Sequence, residues 1–95
     1  MLELLEKIIQ DRKAHPQPGS YTHTLFEHGT NKIAQKVGEE ATEVIVAALG
    51  EGRDAQVNEI ADLFYHTLVL MAQLDIPLDD VKAELAQRHK QRTDS

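Results

Sequence analysis

The stretch Ile60-Ala61-Asp62-Leu63-Phe64-Tyr65-His66-Thr67-Leu68-Val69-Leu70-Met71-Ala72 constrains this chain more than any other, because as a helix it is apolar nearly all the way round. Such a helix must be covered on several faces at once. A chain of 95 residues, with room for one core, has few other elements to cover it. A second copy is the expected solution: two chains packing their longest helices together share one core, and two-fold pairing is the commonest oligomer. The alternative is a monomer whose first and last helices wrap the apolar one.

The rest of the chain divides into helical patterns and one longer loop. Residues 2 to about 14 carry Leu2, Leu5, Ile8 and Ile9 at three- and four-residue steps, which predicts a one-sided amphipathic helix. His15-Pro16-Gln17-Pro18-Gly19-Ser20 cannot continue that helix and reads as the one long exposed loop. After Gly29, Thr30 or Asn31 is placed to cap a helix running through Ile33, Val37, Ala41, Val44 and Ala48 until Gly50 and Gly52 end it. Asp54 is placed to cap the apolar helix, which runs to about Leu74. Pro77 and Asp79 open a last helix with Leu78, Val81 and Leu85 inward, followed by the basic tail Arg88-His89-Lys90-Gln91-Arg92. The expectation is a single all-α domain over residues 1–95, a bundle of four main helices per chain completed by dimerisation. Its core is aliphatic, since Tyr21, Phe26, Phe64 and Tyr65 are the whole aromatic content.

Charge and composition exclude several classes of function. Sixteen acids against ten Lys and Arg give a net charge of -6, the wrong sign for coating nucleic acid. No Cys is present, which removes disulfides, thiolate nucleophiles and zinc-thiolate sites and is compatible with a reducing compartment. The start, Met1-Leu2-Glu3-Leu4-Leu5-Glu6, is acidic where a signal peptide would be basic, and no apolar run approaches membrane-spanning length. A cytoplasmic protein with neither a nucleic-acid nor a membrane partner is expected.

Carboxylates stand where a core would place aliphatics. On a helical wheel Glu40 falls between Ile33 and Ala47, inside the apolar stripe. Glu43 lies beside the stripe next to Lys36, and Glu39 borders the same side. On the apolar helix Glu59 shares a sector with Leu63, Leu70 and Leu74, with Asp62 one step round near Val69 and His66. A buried unpaired carboxylate costs several kcal/mol, and like charges about 4 Å apart repel by roughly 4 kcal/mol at a surface-like dielectric. Salt bridges to Lys32, Lys36 and distant cations, or raised pKa values, account for a pair more easily than for five. Between Asp54 and Leu74 there is no Lys or Arg at all. A divalent cation is the economical answer: Glu40 with Glu43, and Glu59 with Asp62, form two forks at i and i+3 that make an oxygen cage when they face each other. All-oxygen ligation favours Mg²⁺ or Mn²⁺ over zinc, and Mg²⁺ typically gains further ligands from substrate phosphates. A di-iron carboxylate site is disfavoured, because no Glu stands three residues before His66. Lys32 and Lys36, one turn apart, read either as polyphosphate clamps or as helical partners of Glu40 and Glu43.

These same residues carry a resemblance that covers almost the whole chain. Gly19-Ser20-Tyr21-Thr22, Leu25, Gly29, Lys32-Ile33 and Lys36-Val37-Gly38-Glu39-Glu40-Ala41-x-Glu43-Val44 resemble the phosphoribosyl-ATP pyrophosphohydrolases, which act second in histidine biosynthesis. So do Glu59-x-Ala61-Asp62-Leu63-x-Tyr65-His66-x-Leu68-Val69-Leu70 and Leu78-x-Asp80-Val81-x-x-Glu84-Leu85-x-x-Arg88. The Glu-Glu-x-x-Glu plus Glu-x-x-Asp pattern is shared by the wider all-α, MazG-like nucleotide pyrophosphohydrolases and marks chemistry, not substrate. The Ser-Tyr-Thr and Lys-Val-Gly-Glu-Glu strings are more specific. Departures are small: Asn58 stands where an acid is often found, and Phe64 and Thr67 where Leu is common.

The resemblance implies a MazG-like bundle and Mg²⁺-dependent cleavage of the α,β-phosphoanhydride of phosphoribosyl-ATP, a small-molecule substrate, to phosphoribosyl-AMP and pyrophosphate. On that reading Glu40, Glu43, Glu59 and Asp62 hold the metal, with Mn²⁺ as a possible substitute. Glu39 orients or deprotonates water, Lys32 and Lys36 stabilise phosphate charge, and the Ser20-Tyr21-Thr22 loop closes over the nucleotide. The family's domain is often fused to the cyclohydrolase of the next step; a domain without that partner is expected here. Two other readings stay open: a broader nucleoside triphosphate pyrophosphohydrolase with the same cage, and a non-enzymatic dimeric module whose acids are salt-bridged or hold a structural ion.

Overall fold

A computed structural model describes residues 1–91. Five helices follow one another: α1 (Leu2–Ala14), α2 (Tyr21–His28), α3 (Thr30–Gly50), α4 (Arg53–Gln73) and α5 (Leu78–Gln91). No strand occurs among the described residues, so the expected all-α class holds. Arg92, the end of the expected basic tail, lies outside the described residues.

The count of helices is a correction, since four were expected. Residues 21–28 form α2, a short helix that the sequence reading left unassigned, and Tyr21 and Thr22 belong to its first turn instead of to a loop. Ser20 starts it: its backbone is extended (φ -77°, ψ 129°) and its Oγ accepts the His23 N–H at 3.2 Å, which satisfies one of the open donors of the first turn. Gly29 ends it and begins α3. Its N–H donates to the Leu25 carbonyl at 3.2 Å, and its φ of +87° is a conformation that only glycine adopts without strain. Two further caps differ from expectation. Gly29 occupies the cap of α3, which leaves Thr30 and Asn31 inside the helix; Gly52 occupies the cap of α4, with Asp54 in the first turn, where its charge still suits the helix dipole.

α3 and α4 form the long antiparallel hairpin that the two-glycine break implies, and they share the most extensive packing in the molecule. Ile33 and Val69 are fully buried between them, and α1 and α2 close one side with Ile9 and Leu25. Lys13 ties the end of α1 to the end of α4. Its Nζ donates to the Ala72 carbonyl at 2.8 Å and to Asp75 at 3.1 Å, a cation at a helix C-terminus where open carbonyls collect.

α5 departs from the expected inward packing. Leu78 is buried, but Val81 and Leu85 are 38% and 59% exposed. The helix is anchored to α1 near its start: the Glu6 carboxylate accepts the Leu78 N–H at 2.6 Å, and Lys82 pairs with Glu3 at 2.9 Å. Beyond that anchor Val81 and Leu85 line an apolar groove of about 340 Å³ with Leu63, Phe64 and Met71. One chain therefore does not cover its own apolar helix. Val57, Ile60 and Phe64 on α4, and Ile45, Val46 and Leu49 on α3, are each at least 43% exposed.

Candidate active site

Glu40 occupies the position expected from the wheel, between the fully buried Ile33 and Ala47, and is itself only 7% exposed. The antiparallel α3–α4 pairing brings it to the acids of the facing helix. Glu40, Glu43 and Glu59 each offer a carboxylate oxygen within 4.8 Å of the others. Asp62, the fourth expected ligand, stands beside this trio and not within it; its charge still raises the pKa of both Glu40 and Glu59.

The trio is electrostatically unresolved by the protein alone. Among the described residues no Lys or Arg forms an ion pair with Glu40, Glu43, Glu59 or Asp62; His66 Nδ1 lies 3.7 Å from Glu40 Oε1, a contact that is an ion pair only when the ring is protonated. The salt-bridge explanation of these acids therefore fails. Glu59 Oε2 is buried and has no hydrogen-bond partner among the described residues. Hydrogen bonding to Glu43, burial and the Glu43 charge push the Glu40 carboxyl up to about 7. Glu59 is also raised, first by its hydrogen bond to Glu43 and then by burial, whereas Glu43 is lowered by accepting from both neighbours. The two raised carboxyls thus flank the lowered one, the pattern expected of like charges crowded together with no cation among them. An orphaned buried oxygen within an all-oxygen donor set is what a hard divalent cation would satisfy, so the residues present fit Mg²⁺ or Mn²⁺.

Next to the cage lies a cavity of about 200 Å³ bounded by Tyr21, Thr24, His28, Lys32, Lys36 and Glu39. Lys36 pairs with Glu39 at 3.6 Å and with neither Glu40 nor Glu43, and Lys32 forms no ion pair among the described residues, so the two ammonium groups are not consumed by the cage. Burial alone would depress Lys36; the surrounding Tyr21, Glu40 and Glu39 outweigh it and raise its pKa. Glu39 belongs to this cavity. Gln35 donates to its Oε2 at 2.8 Å, and that bond, with Lys36 and Lys32 nearby, holds its carboxyl below the usual range.

Of the Ser20-Tyr21-Thr22 string, only Tyr21 lines the cavity. Ser20 caps α2, and the Thr22 hydroxyl is hydrogen-bonded to that of Tyr65 on α4. Tyr21 Oη lies 2.9 Å from His66 Nε2. A segment bonded in this way is a docked helix, which corrects the expectation of an open loop. The sequence reading also missed His66, Tyr65 and Gln35. His66 had a signal: it follows Glu59 by seven residues and so shares a face with the cage acid.

Comparison with known proteins narrows the readings this geometry leaves open. Residues 2–89 match the family model described as phosphoribosyl-ATP pyrophosphohydrolase. The chain belongs to the phosphoribosyl-ATP pyrophosphohydrolase family. It is 48% identical over 90 residues to a phosphoribosyl-ATP pyrophosphatase of Clostridium acetobutylicum, covering 95% of this chain and 82% of that one. It is 50% identical over 93 residues to the phosphoribosyl-ATP pyrophosphatase of Lactiplantibacillus plantarum, covering 98% and 88%. A histidine biosynthesis bifunctional protein of Oceanobacillus iheyensis is 44% identical over 95 residues, but the chain spans only 44% of that protein's length. Membership removes the non-enzymatic module from consideration, since the family is one of hydrolases.

Proposed function

We propose that this chain hydrolyses the α,β-phosphoanhydride of phosphoribosyl-ATP with water, releasing pyrophosphate and phosphoribosyl-AMP, as the second step of histidine biosynthesis. The observation that carries the reading is the juxtaposition of the Glu40–Glu43–Glu59 cage with a lysine-lined cavity on the same face of α3. A polyphosphate needs both. Residues 1–95 act as one domain in this reading, and the names of the relatives supply the substrate that the geometry leaves unspecified.

Glu40, Glu43 and Glu59, with Asp62 beside them, would hold Mg²⁺, for which Mn²⁺ can substitute. When bound, the metal screens phosphate charge and acidifies water. Lys32 and Lys36 bind the phosphates and offset the charge that develops on the leaving pyrophosphate. Tyr21 borders the same cavity and contacts the nucleotide side, while Ser20 and Thr22 serve it indirectly by fixing α2. Glu39 orients the attacking water and takes its proton; its lowered pKa keeps it ionised and able to accept the hydrogen bond.

A homodimer goes with this reading. Ile45, Val46 and Leu49 on α3, Val57, Ile60 and Phe64 on α4, and the apolar groove beside α5 leave surface bare that a second copy would cover. No helix among the described residues is long and apolar enough to cross a membrane. A cytoplasmic place of work is consistent with the absence of Cys.

The test is turnover of phosphoribosyl-ATP, dCTP and dUTP side by side, each with Mg²⁺. The reading predicts pyrophosphate release from phosphoribosyl-ATP at least about a hundredfold faster, since a site built to hydrogen-bond one ligand discriminates strongly against those lacking the matching groups. Comparable rates with all three would make the chain a broader nucleotide pyrophosphohydrolase.

A further inference from the structure

His66 is a buried histidine with an engagement at every polar atom, and its partners lie on three helices. It is 5% exposed, on the face of α4 that meets α3. Its Nδ1 lies 2.7 Å from the Asp62 carbonyl oxygen. A carbonyl only accepts, so Nδ1 carries the hydrogen, and in the neutral ring Nε2 accepts from the Tyr21 hydroxyl 2.9 Å away. The same Nδ1 edge faces Glu40 Oε1 at 3.7 Å. The ring therefore bonds to the backbone of Asp62, which stands beside the cage on α4, and lies against the carboxylate of the cage residue Glu40 on α3. Its orientation is set from α2.

The aromatic packing leaves the ring little freedom. Tyr65 meets it edge-on, with centroids 5.1 Å apart and planes at 87°, and Tyr21 does so at 5.8 Å and 79°. Tyr21 and Tyr65 stack on each other at 6.2 Å. Docking α2 on α4 does not require this arrangement, because Thr22–Tyr65 and the buried Leu25 already join those helices. What the Tyr21–His66 bond adds is a fixed imidazole edge against Glu40.

We propose that Tyr21 and His66 are positioning residues of the cage: the Tyr21 hydroxyl holds the His66 ring, and the ring holds Glu40 and the Asp62 backbone in the arrangement that binds the divalent cation. The proposal rests on the metal-binding reading above. Groups that orient metal ligands without ligating typically contribute ten- to a hundredfold in affinity. The consequence here is specific: removing a single hydroxyl on α2, which ligates nothing, weakens cation binding on α3 and α4.

The experiment is titration of the full chain with Mn²⁺ in the absence of any nucleotide, following free Mn²⁺ by electron paramagnetic resonance. Leaving out the nucleotide keeps the cavity contacts of Tyr21 out of the readout. Wild type, Tyr21→Phe, His66→Ala, His66→Asn and Glu43→Gln are compared, with melting temperatures measured alongside. The proposal expects Tyr21→Phe to weaken Mn²⁺ about tenfold and His66→Ala by about ten- to a hundredfold. His66→Asn, which keeps a donor near the Nδ1 position, should recover part of the His66→Ala loss. Mn²⁺ affinity unchanged within about twofold in folded Tyr21→Phe and His66→Asn, with only the melting temperature lowered, would show a purely structural clamp and overturn the proposal while the cage stands. No Mn²⁺ binding by wild type above the level of Glu43→Gln would overturn the cage, and the positioning role with it.

Discussion

Glu40 sits where the α3 stripe would otherwise carry an aliphatic side chain, and its protonation couples the stability of the fold to pH. Its carboxyl is pushed from 4.5 to about 7 by hydrogen bonding to Glu43 and by burial. Across that interval the folded chain holds a proton that the unfolded chain has released, so metal-free stability declines as pH rises through the window. Glu59 is shifted in the same direction. The lowered Glu43 contributes on the acid side, where its stabilisation is lost as pH falls below the ordinary carboxylate value. The melting temperature in EDTA should therefore be lower at about pH 8 than at about pH 6, and Mg²⁺ should raise it more at the higher pH, where fewer protons compete for the ligands. A flat profile with a pH-independent Mg²⁺ increment would contradict the raised Glu40 and Glu59 carboxyls. Lys36 gives a second test at this scale. Its pair with Glu39 is partly exposed, so Lys36→Gln should change stability by less than about 1 kcal/mol. The same change should lower kcat/KM for phosphoribosyl-ATP at least about tenfold, or about 1.4 kcal/mol of transition-state stabilisation, as steady-state kinetics would show.

Among the elements, α2 shows where reading a sequence meets its limit. Tyr-Thr-His-Thr is a poor helix former, and eight residues are too few for a periodic stripe to stand out. The Ser20 cap, the burial of Leu25 and the hydroxyl bonds to Tyr65 and His66 make it a helix, and the last two exist only in three dimensions. Ser20→Ala should cost about 1 kcal/mol in denaturant unfolding, the usual price of a lost cap, and should leave the cage's Mn²⁺ affinity weakened if α2 sets the His66 ring. The long helices were legible because their signals are local: glycines at 50 and 52 separate α3 from α4, and periodicity marks both. The meeting of Glu40, Glu43 and Glu59 was legible for a related reason, while Asp62, expected among them, stands beside them. A carboxylate at the centre of an apolar stripe, as at Glu40, contradicts the pattern around it, and at Glu59 the absence of Lys and Arg from the whole segment sharpened the contradiction. Tyr21 and His66 lie 45 residues apart, and neither violates a local pattern, so nothing in the sequence joined them. Val81 and Leu85 misled in the opposite way, since their periodicity is correct but the apolar face meets an open groove.

For the whole molecule, the exposed apolar surface and the site are linked through α4, which supplies Phe64 to one and Glu59 to the other. Phe64 is 51% exposed and lines the groove beside α5. On the proposed pairing, wild type sediments as a dimer and Phe64→Asp as a monomer whose own core is little disturbed; a monomeric wild type would contradict the pairing, and a dimer unchanged by the substitution would place the interface elsewhere. The central claim is that the carboxylate cage, with the lysine-lined cavity beside it on α3, makes this family member a metal-dependent pyrophosphohydrolase. It is tested most directly by following pyrophosphate release from phosphoribosyl-ATP by purified wild type and Glu43→Gln, each with and without Mg²⁺. The account predicts release by wild type only with Mg²⁺, and a loss of at least about a hundredfold in a Glu43→Gln protein that remains folded, because that residue is the central acceptor of the trio. Metal-independent release, or full activity in Glu43→Gln, would contradict it.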